Sequence, residues 1–250
     1  MSGHSKWHSI KHKKGAADQA RAKLFARLTR QIEVAAREGG GDAEANASLR
    51  TMVQKARDNS VPVDKIERAI KRGTGELEGK RYEPVTYEGY APNGVAVYVE
   101  CLTDNRNRTT AEIKNIFNRN GGSIAEPGSV AWQFERKGVV ILDHAATAED
   151  DLMLVALEAG AEDIADTGDS WVVTTGATDL HTVRTALDDA GIVVASADLT
   201  MAPTMTVPLG DEASAKSVLR VIDALEEHDD VQNVFGNFDI PDDVLAVVMG

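Results

Sequence analysis

Cysteine is almost absent. Cys101 stands alone in 250 residues, which rules out an intrachain disulfide and any cysteine-based metal cluster and points to a reducing cytoplasm. Long apolar runs are lacking too. Stretches such as Gly138 to Leu142 and Gly191 to Ala195 reach only strand length, far below the roughly 20 residues of a membrane-spanning helix, so no membrane partner is expected. The first 14 residues hold four lysines and three histidines without an apolar core, which excludes a secretory signal. Local catalytic signatures are missing as well: there is no nucleophile elbow and no HExxH. The nearest approach to a phosphate loop, Gly75 to Lys80, is one residue short. It ends in Arg81 instead of Ser or Thr and carries two glutamates that would repel phosphate. A non-enzymatic protein without a cofactor is the expectation.

What is present is charge, and it is unevenly spread. The net charge of −13 would by itself argue against a nucleic-acid partner. Residues 1–80, however, hold 17 Lys and Arg against 10 Asp and Glu, a net +7, while residues 81–250 hold 10 against 30, a net −20. In the first 30 residues eight basic side chains meet one acid, Asp18. A basic head on an acidic body is the pattern expected when one end touches phosphate and the other does not. The competing reading is a solvated, charged helical domain.

Hydrophobic spacing divides the chain. From Ala16 to Glu38 the residues Leu24, Phe25, Leu28, Ile32, Ala35 and Ala36 recur with helical period, and Gly39 to Gly41 stop the helix. A second helix near Glu44 to Asn59 would bury Leu49, Met52, Val53 and Ala56. A third begins with Asp64 and Glu67 in a capping-box arrangement and stops at Gly73. Beyond the 73–80 linker the period changes to two. Strands at Tyr82 to Tyr90 and Gly94 to Leu102 join through a Pro92-Asn93-Gly94 turn, with a helix from about Asn107 to Asn120 and a strand at Ser129 to Glu135. Residues 138–203 read as a complete βαββαβ unit. The middle unit then lacks a helix and a strand, which Glu212 to Glu227 and Val231 to Asp239 can supply. The expected fold class is therefore α+β: an N-terminal three-helix domain (1–79) and two ferredoxin-like α/β sandwiches, the third (138–203) inserted into the second (80–137 plus 204–250). Three consecutive domains are the alternative.

The candidate contacts follow from that layout. In the arm these are Lys6, Trp7, His8, Lys11, His12, Lys13 and Lys14. His4, His8 and His12 share a helical face and could ligate a metal, but the neighbouring lysines would crowd a cation, so a phosphate-facing arm is preferred. Trp7 either stacks on a base or packs the arm onto the body. On the first helix, Lys23, Arg27, Arg30 and Arg37 fall on a stripe opposite the apolar face; on the third, Arg68, Lys71 and Arg72 continue it. Within Thr103 to Thr109, Asp104 or Asn105 can cap a helix, and Arg106 and Arg108 could form a second anion contact.

Several of these strings carry a resemblance. Gly3-His4-Ser5-Lys6-Trp7, Lys13-Lys14, Ile66 to Lys71, Tyr87 to Tyr90 with Gly94 to Ala96, Leu102 to Thr109, and Gly128 to Ala131 together strongly resemble the YebC family, densely to about Phe134 and more loosely beyond. The resemblance implies a helical first domain, two α+β domains and no catalytic residues. Its bacterial members are usually described as transcriptional regulators that bind DNA. Its mitochondrial relatives are translational activators of cytochrome oxidase, and some bacterial members look like ribosome-associated factors that help translation. The partners it implies are thus DNA or ribosomal RNA and the ribosome, while the acidic domains are left open to a protein partner.

Overall fold

The computed structural model describes residues 18–249, with side chains described from 21 to 248. Helices α1 (Asp18–Gly39), α2 (Ala47–Asp58) and α3 (Val63–Thr74) form the head. Leu28, Ile32, Ala35 and Ala36 of α1 are buried against Leu49, Val53 and Ala56 of α2 and Ile66 and Ala69 of α3, as the helical spacing requires. One buried amide closes two helix ends. Asn46 Oδ1 accepts from the Leu49 amide at 3.0 Å to start α2, and its Nδ2 donates to the Ala35 and Gly40 carbonyls at the end of α1 at 2.8 and 2.9 Å. The expected capping box at Asp64 does not form. The helix begins one residue earlier, behind Pro62, and no side chain caps it. Nor does α3 stop at Gly73; it ends at Gly75, where φ is 83°. Gly73 instead lies where α1 and α3 touch, since a Cβ there would stand 2.5 Å from the Glu33 carbonyl oxygen.

The middle unit is built on strands β1 (Glu83–Tyr90), β2 (Ala96–Thr103), β3 (Ser123–Ala125) and, from far along the chain, β9 (Val231–Gly236). Their order is β3-β1-β2-β9, antiparallel throughout. Asn93, with φ of 62°, makes the β1–β2 turn. Alternation puts Val85, Val97, Val99 and Cys101 on one face. They pack under Ile113 and Phe117 of α4 (Arg106–Arg119) and Val218, Ile222 and Leu225 of α7 (Glu212–Glu226). A 131–133 turn of 3₁₀ helix stands where a strand from Ser129 is expected, and the strand starts only at Phe134.

That strand, β4 (Phe134–Asp143), runs without a break from the middle unit into the inserted one. With α5 (Glu149–Glu158), β5 (Ala161–Asp166), β6 (Ser170–Gly176), α6 (Leu180–Asp189) and β7 (Ser196–Pro203) it completes a βαββαβ unit of strand order β5-β6-β4-β7, the ferredoxin-like arrangement. Val140, Leu142, Trp171 and Val173 face Leu152, Ala156, Val183 and Leu187 of the two helices. The chain then returns through β8 (Val207–Pro208), α7 and β9, with β10 (Phe238–Asp239) parallel to β8 and a last helix α8 (Asp242–Met249) that periodicity alone does not reveal. The architecture is the expected one: a helical head, then two α/β sandwiches, the third inserted into the second.

Candidate nucleic-acid interface

The cationic stripe of α1 faces the body. Lys23 Nζ donates to the Glu227 carbonyl at 3.0 Å, Arg27 to the Glu226 carbonyl, and Arg30 to the Asp229 carbonyl. These oxygens belong to the end of α7 and the segment leaving it, where a helix exposes carbonyls without intrahelical donors and the negative end of its dipole. Three cations spaced along one helix thus cap the C-terminal end of another. Arg27 shows the cost: burial pulls its guanidinium pKa down, and the carboxylates of Glu226 and Asp229 only partly offset this. Arg30 also lies over the Tyr82 ring, 5.2 Å from the centroid.

Arg37, the fourth member of the stripe, is bound within the head. It meets Glu33 at 3.1 Å and the Lys80 carbonyl at 3.3 Å, and Arg72 of α3 reaches the other Glu33 oxygen at 2.9 Å. Glu33 is buried and holds α1, α3 and the linker together. Arg68 and Lys71, by contrast, are exposed on α3. The arm residues Lys6, Trp7, His8, Lys11, His12, Lys13 and Lys14, and His4 with them, lie outside the described residues.

The strand-to-helix loop is a joint as well as a cap. Asn105 is the cap residue and accepts from the Arg108 amide at 3.1 Å. Arg108 donates to Asp104 at 3.0 Å and to Asp230 at 2.6 Å, and Asp104 also meets Lys80 at 2.7 Å. Asp230 raises the Arg108 pKa through that hydrogen bond. Arg106, next to it in sequence, is exposed. The head also touches the inserted unit, through Lys55 with Asp198 and Asp58 with Arg184, both at 2.7 Å.

Three buried carboxylates, Glu33, Glu88 and Asp230, organise this region, and none stands out in the sequence. Glu88 accepts from the amides of Gly128, Val130 and Ala131 at 2.7, 2.6 and 2.9 Å, so the Gly128 to Ala131 string wraps around an anion supplied by β1. Strand alternation assigns Glu88 to the face opposite Val85 and Tyr87. The signal missing from the sequence is that this second face is also covered.

A three-helix head with exposed cations on α3, clamped by α1 onto an acidic two-sandwich body, defines the class of protein. Residues 5–76 match the model described as the TACO1/YebC protein N-terminal domain, and residues 82–238 the TACO1/YebC second and third domain. The chain belongs to the TACO1/YebC family. It is similar to a "Probable transcriptional regulatory protein" of Halothermothrix orenii, 53% identical over 99% of both chains, and to one of Rubrobacter xylanophilus, 57% identical over the whole of both. A solved structure of a conserved hypothetical protein from Aquifex aeolicus is 45% identical, with a TM-score of 0.85 over 93% of this chain and 96% of that one. The names of the Halothermothrix and Rubrobacter relatives describe regulatory proteins. No helix among the described residues is long and apolar enough to cross a membrane.

Proposed function

We propose that the protein is a non-enzymatic regulator of gene expression that holds nucleic acid through its head, with the arm that carries Lys6 to Lys14 and the outer face of α3 as the contact. The observation that carries this reading is the division of charge, +7 in residues 1–80 against −20 in the remainder, with Arg68 and Lys71 turned to solvent. The arm cations Lys6, Lys11, Lys13 and Lys14 extend that surface. Lys23, Arg27 and Arg30 contribute by fixing the head to the body, and they add phosphate contacts only when the head lifts away. Backbone phosphates, not base edges, are what such a surface recognises.

The name carried by the relatives favours DNA and transcription. A second reading, an RNA or ribosome partner in translation, is supported by the body: a duplex lying along the molecule would meet net negative charge, whereas a phosphate-lined crevice admits the head alone. Both are tested by removing residues 1–15 and neutralising Arg68 and Lys71. Affinity for nucleic acid should fall, and its salt dependence should flatten by about one unit of slope for every phosphate no longer neutralised; unchanged affinity would falsify both. Crosslinking in cells followed by sequencing of DNA and RNA then separates them, promoter enrichment favouring the first and a focused ribosomal RNA footprint the second.

A further inference from the structure

Helix α5 of the inserted unit is apolar on two opposite sides. At about 100° per residue, Leu152, Val155, Ala156 and Ala159 fall on the side that packs against the sheet, and this side is buried or half-buried. Met153, Leu154 and Leu157 fall on the other, with exposures of 42%, 62% and 46%. A surface helix of a soluble domain normally turns polar residues outward, and one that is apolar all round is normally covered. Its neighbour α6 obeys that rule: His181, Thr182, Thr185, Asp188 and Asp189 are its exposed positions. The α5 ridge is thus a property of that helix and not of the unit.

Charge selects what covers it. Residues 138–203 contain 13 Asp and Glu and one basic residue, Arg184, a net charge of −12. The ridge is flanked by Glu149, Asp150 and Asp151 at the start of the helix and Glu158 at its end, all exposed. A second copy of this chain laid on the ridge would bring these acidic ends against one another, and like charges across an interface core are strongly disfavoured. Nucleic acid is repelled by the same field. We infer that the outer face of α5 is a docking surface for a partner protein that presents an amphipathic helix with an apolar stripe flanked by lysine or arginine. Leu154 and Leu157 supply the buried contact of such an interface, and the acidic flanks orient the helix and speed its capture. This inference does not depend on which nucleic acid the head binds.

The probe is a synthetic peptide of about five helical turns with leucine on one stripe and lysine elsewhere, titrated by fluorescence anisotropy into the full chain. A control peptide has the same composition with the stripe scrambled. The expected result is binding of the striped peptide, at least about tenfold weaker binding of the scrambled one, and a loss of about tenfold in the L154S/L157S variant. Neutralising Glu149, Asp150 and Asp151 as E149Q/D150N/D151N should reduce the salt dependence of binding while leaving the preference for the stripe. Because the replaced leucines are exposed, an unchanged melting temperature of L154S/L157S accompanies the supporting result. Failure of the peptide to bind, equal binding of the two peptides, or equal binding by L154S/L157S overturns the inference. So does sedimentation showing a dimer that L154S/L157S abolishes, which assigns the ridge to a second copy. Peptide affinity that rises about tenfold when residues 1–15 are removed, consistent with relief of competition by the chain's own basic arm, overturns it likewise.

Discussion

Arg30 of α1 and Asp230, the residue before β9, meet at 3.4 Å across the joint between head and body. The other oxygen of the same carboxylate takes hydrogen bonds from Arg108 at 2.6 Å and from Thr109 at 2.7 Å. One buried acid thereby gathers a helix of the head, the start of α4 and the segment after α7. Burial alone would raise the Asp230 pKa, but the Thr109 and Arg108 hydrogen bonds and the Arg108 charge outweigh it and hold the carboxyl below its ordinary value.

Replacing Asp230 with alanine should therefore destabilise the protein by about 1–3 kcal/mol, because it strands the buried Thr109 hydroxyl and takes a shared acceptor from the more exposed Arg30 and Arg108. The pH dependence has a fixed sign. A carboxyl with a depressed folded pKa contributes stability that is fully present above the unfolded value of about 4 and lost as pH falls through the lower folded value. Urea melts of the wild type and D230A at neutral and acidic pH measure both effects. The gap between the two proteins should narrow in acid.

The two groups of head cations should separate in experiment. Neutralising Arg27 and Arg30 as R27Q/R30Q removes charge-assisted bonds to carbonyls at the end of α7 and should cost about 1.5–3 kcal/mol for each bond removed. Neutralising Arg68 and Lys71 as R68Q/K71Q touches an exposed face and should change stability by less than about 0.5 kcal/mol while weakening nucleic-acid binding. Thermal melts alongside binding titrations check the pair. Equal loss of stability in both variants would remove the distinction between a docking stripe and a binding face.

Cys101 should be unreactive in the native protein. Its thiol lies on β2 under α4 and α7, and burial first, then the nearby charges of Asp230 and Glu100, push its pKa up to about 12. Thiol-specific reagents at mildly alkaline pH should label it only in denaturant or at the rate of global unfolding. Fast labelling of the folded chain would show that this core opens locally.

How far the sequence reveals all this depends on which interaction does the organising. Periodicity reports burial along one element, so the Leu28, Ile32, Ala35 face of α1 and the Val97, Val99 face of β2 are legible. The missing helix and strand of the middle unit are legible too, because a half-built sheet demands them. What periodicity does not carry is the partner of a charge. Lys23, Arg27 and Arg30 form the same stripe whether they face phosphate or the carbonyls after Leu225, and nothing local distinguishes Asp230 from Asp229 beside it. The continuity of β4 through Lys137 and Gly138 is hidden for a related reason. Lys137 is held by Glu135 and Glu162, and Gly138 sits where a Cβ would stand 2.3 Å from Thr175 Oγ1, so residues that read as a boundary are packed strand.

Gly73 should tolerate no side chain. In α3 it faces α1 so closely that an alanine Cβ would stand 2.5 Å from the Glu33 carbonyl oxygen and 2.7 Å from Ala36 Cβ. Both obstacles are part of α1 itself, not the ends of flexible side chains, so the helices must move apart. Overpacking of this kind costs about 1–3 kcal/mol, more than the fraction of a kcal/mol that alanine gains in helix propensity over glycine. The separation would also draw Arg72 away from Glu33, whose carboxylate is buried at 2% exposure. G73A should thus melt lower than the wild type even though alanine is the better helix former. G75A, at the left-handed cap with open space around its Cβ, should cost only the strain of its φ of 83°, about 1 kcal/mol. Measuring both by chemical denaturation distinguishes close helix contact from cap geometry: a G73A protein as stable as the wild type would mean that α1 and α3 can part without penalty.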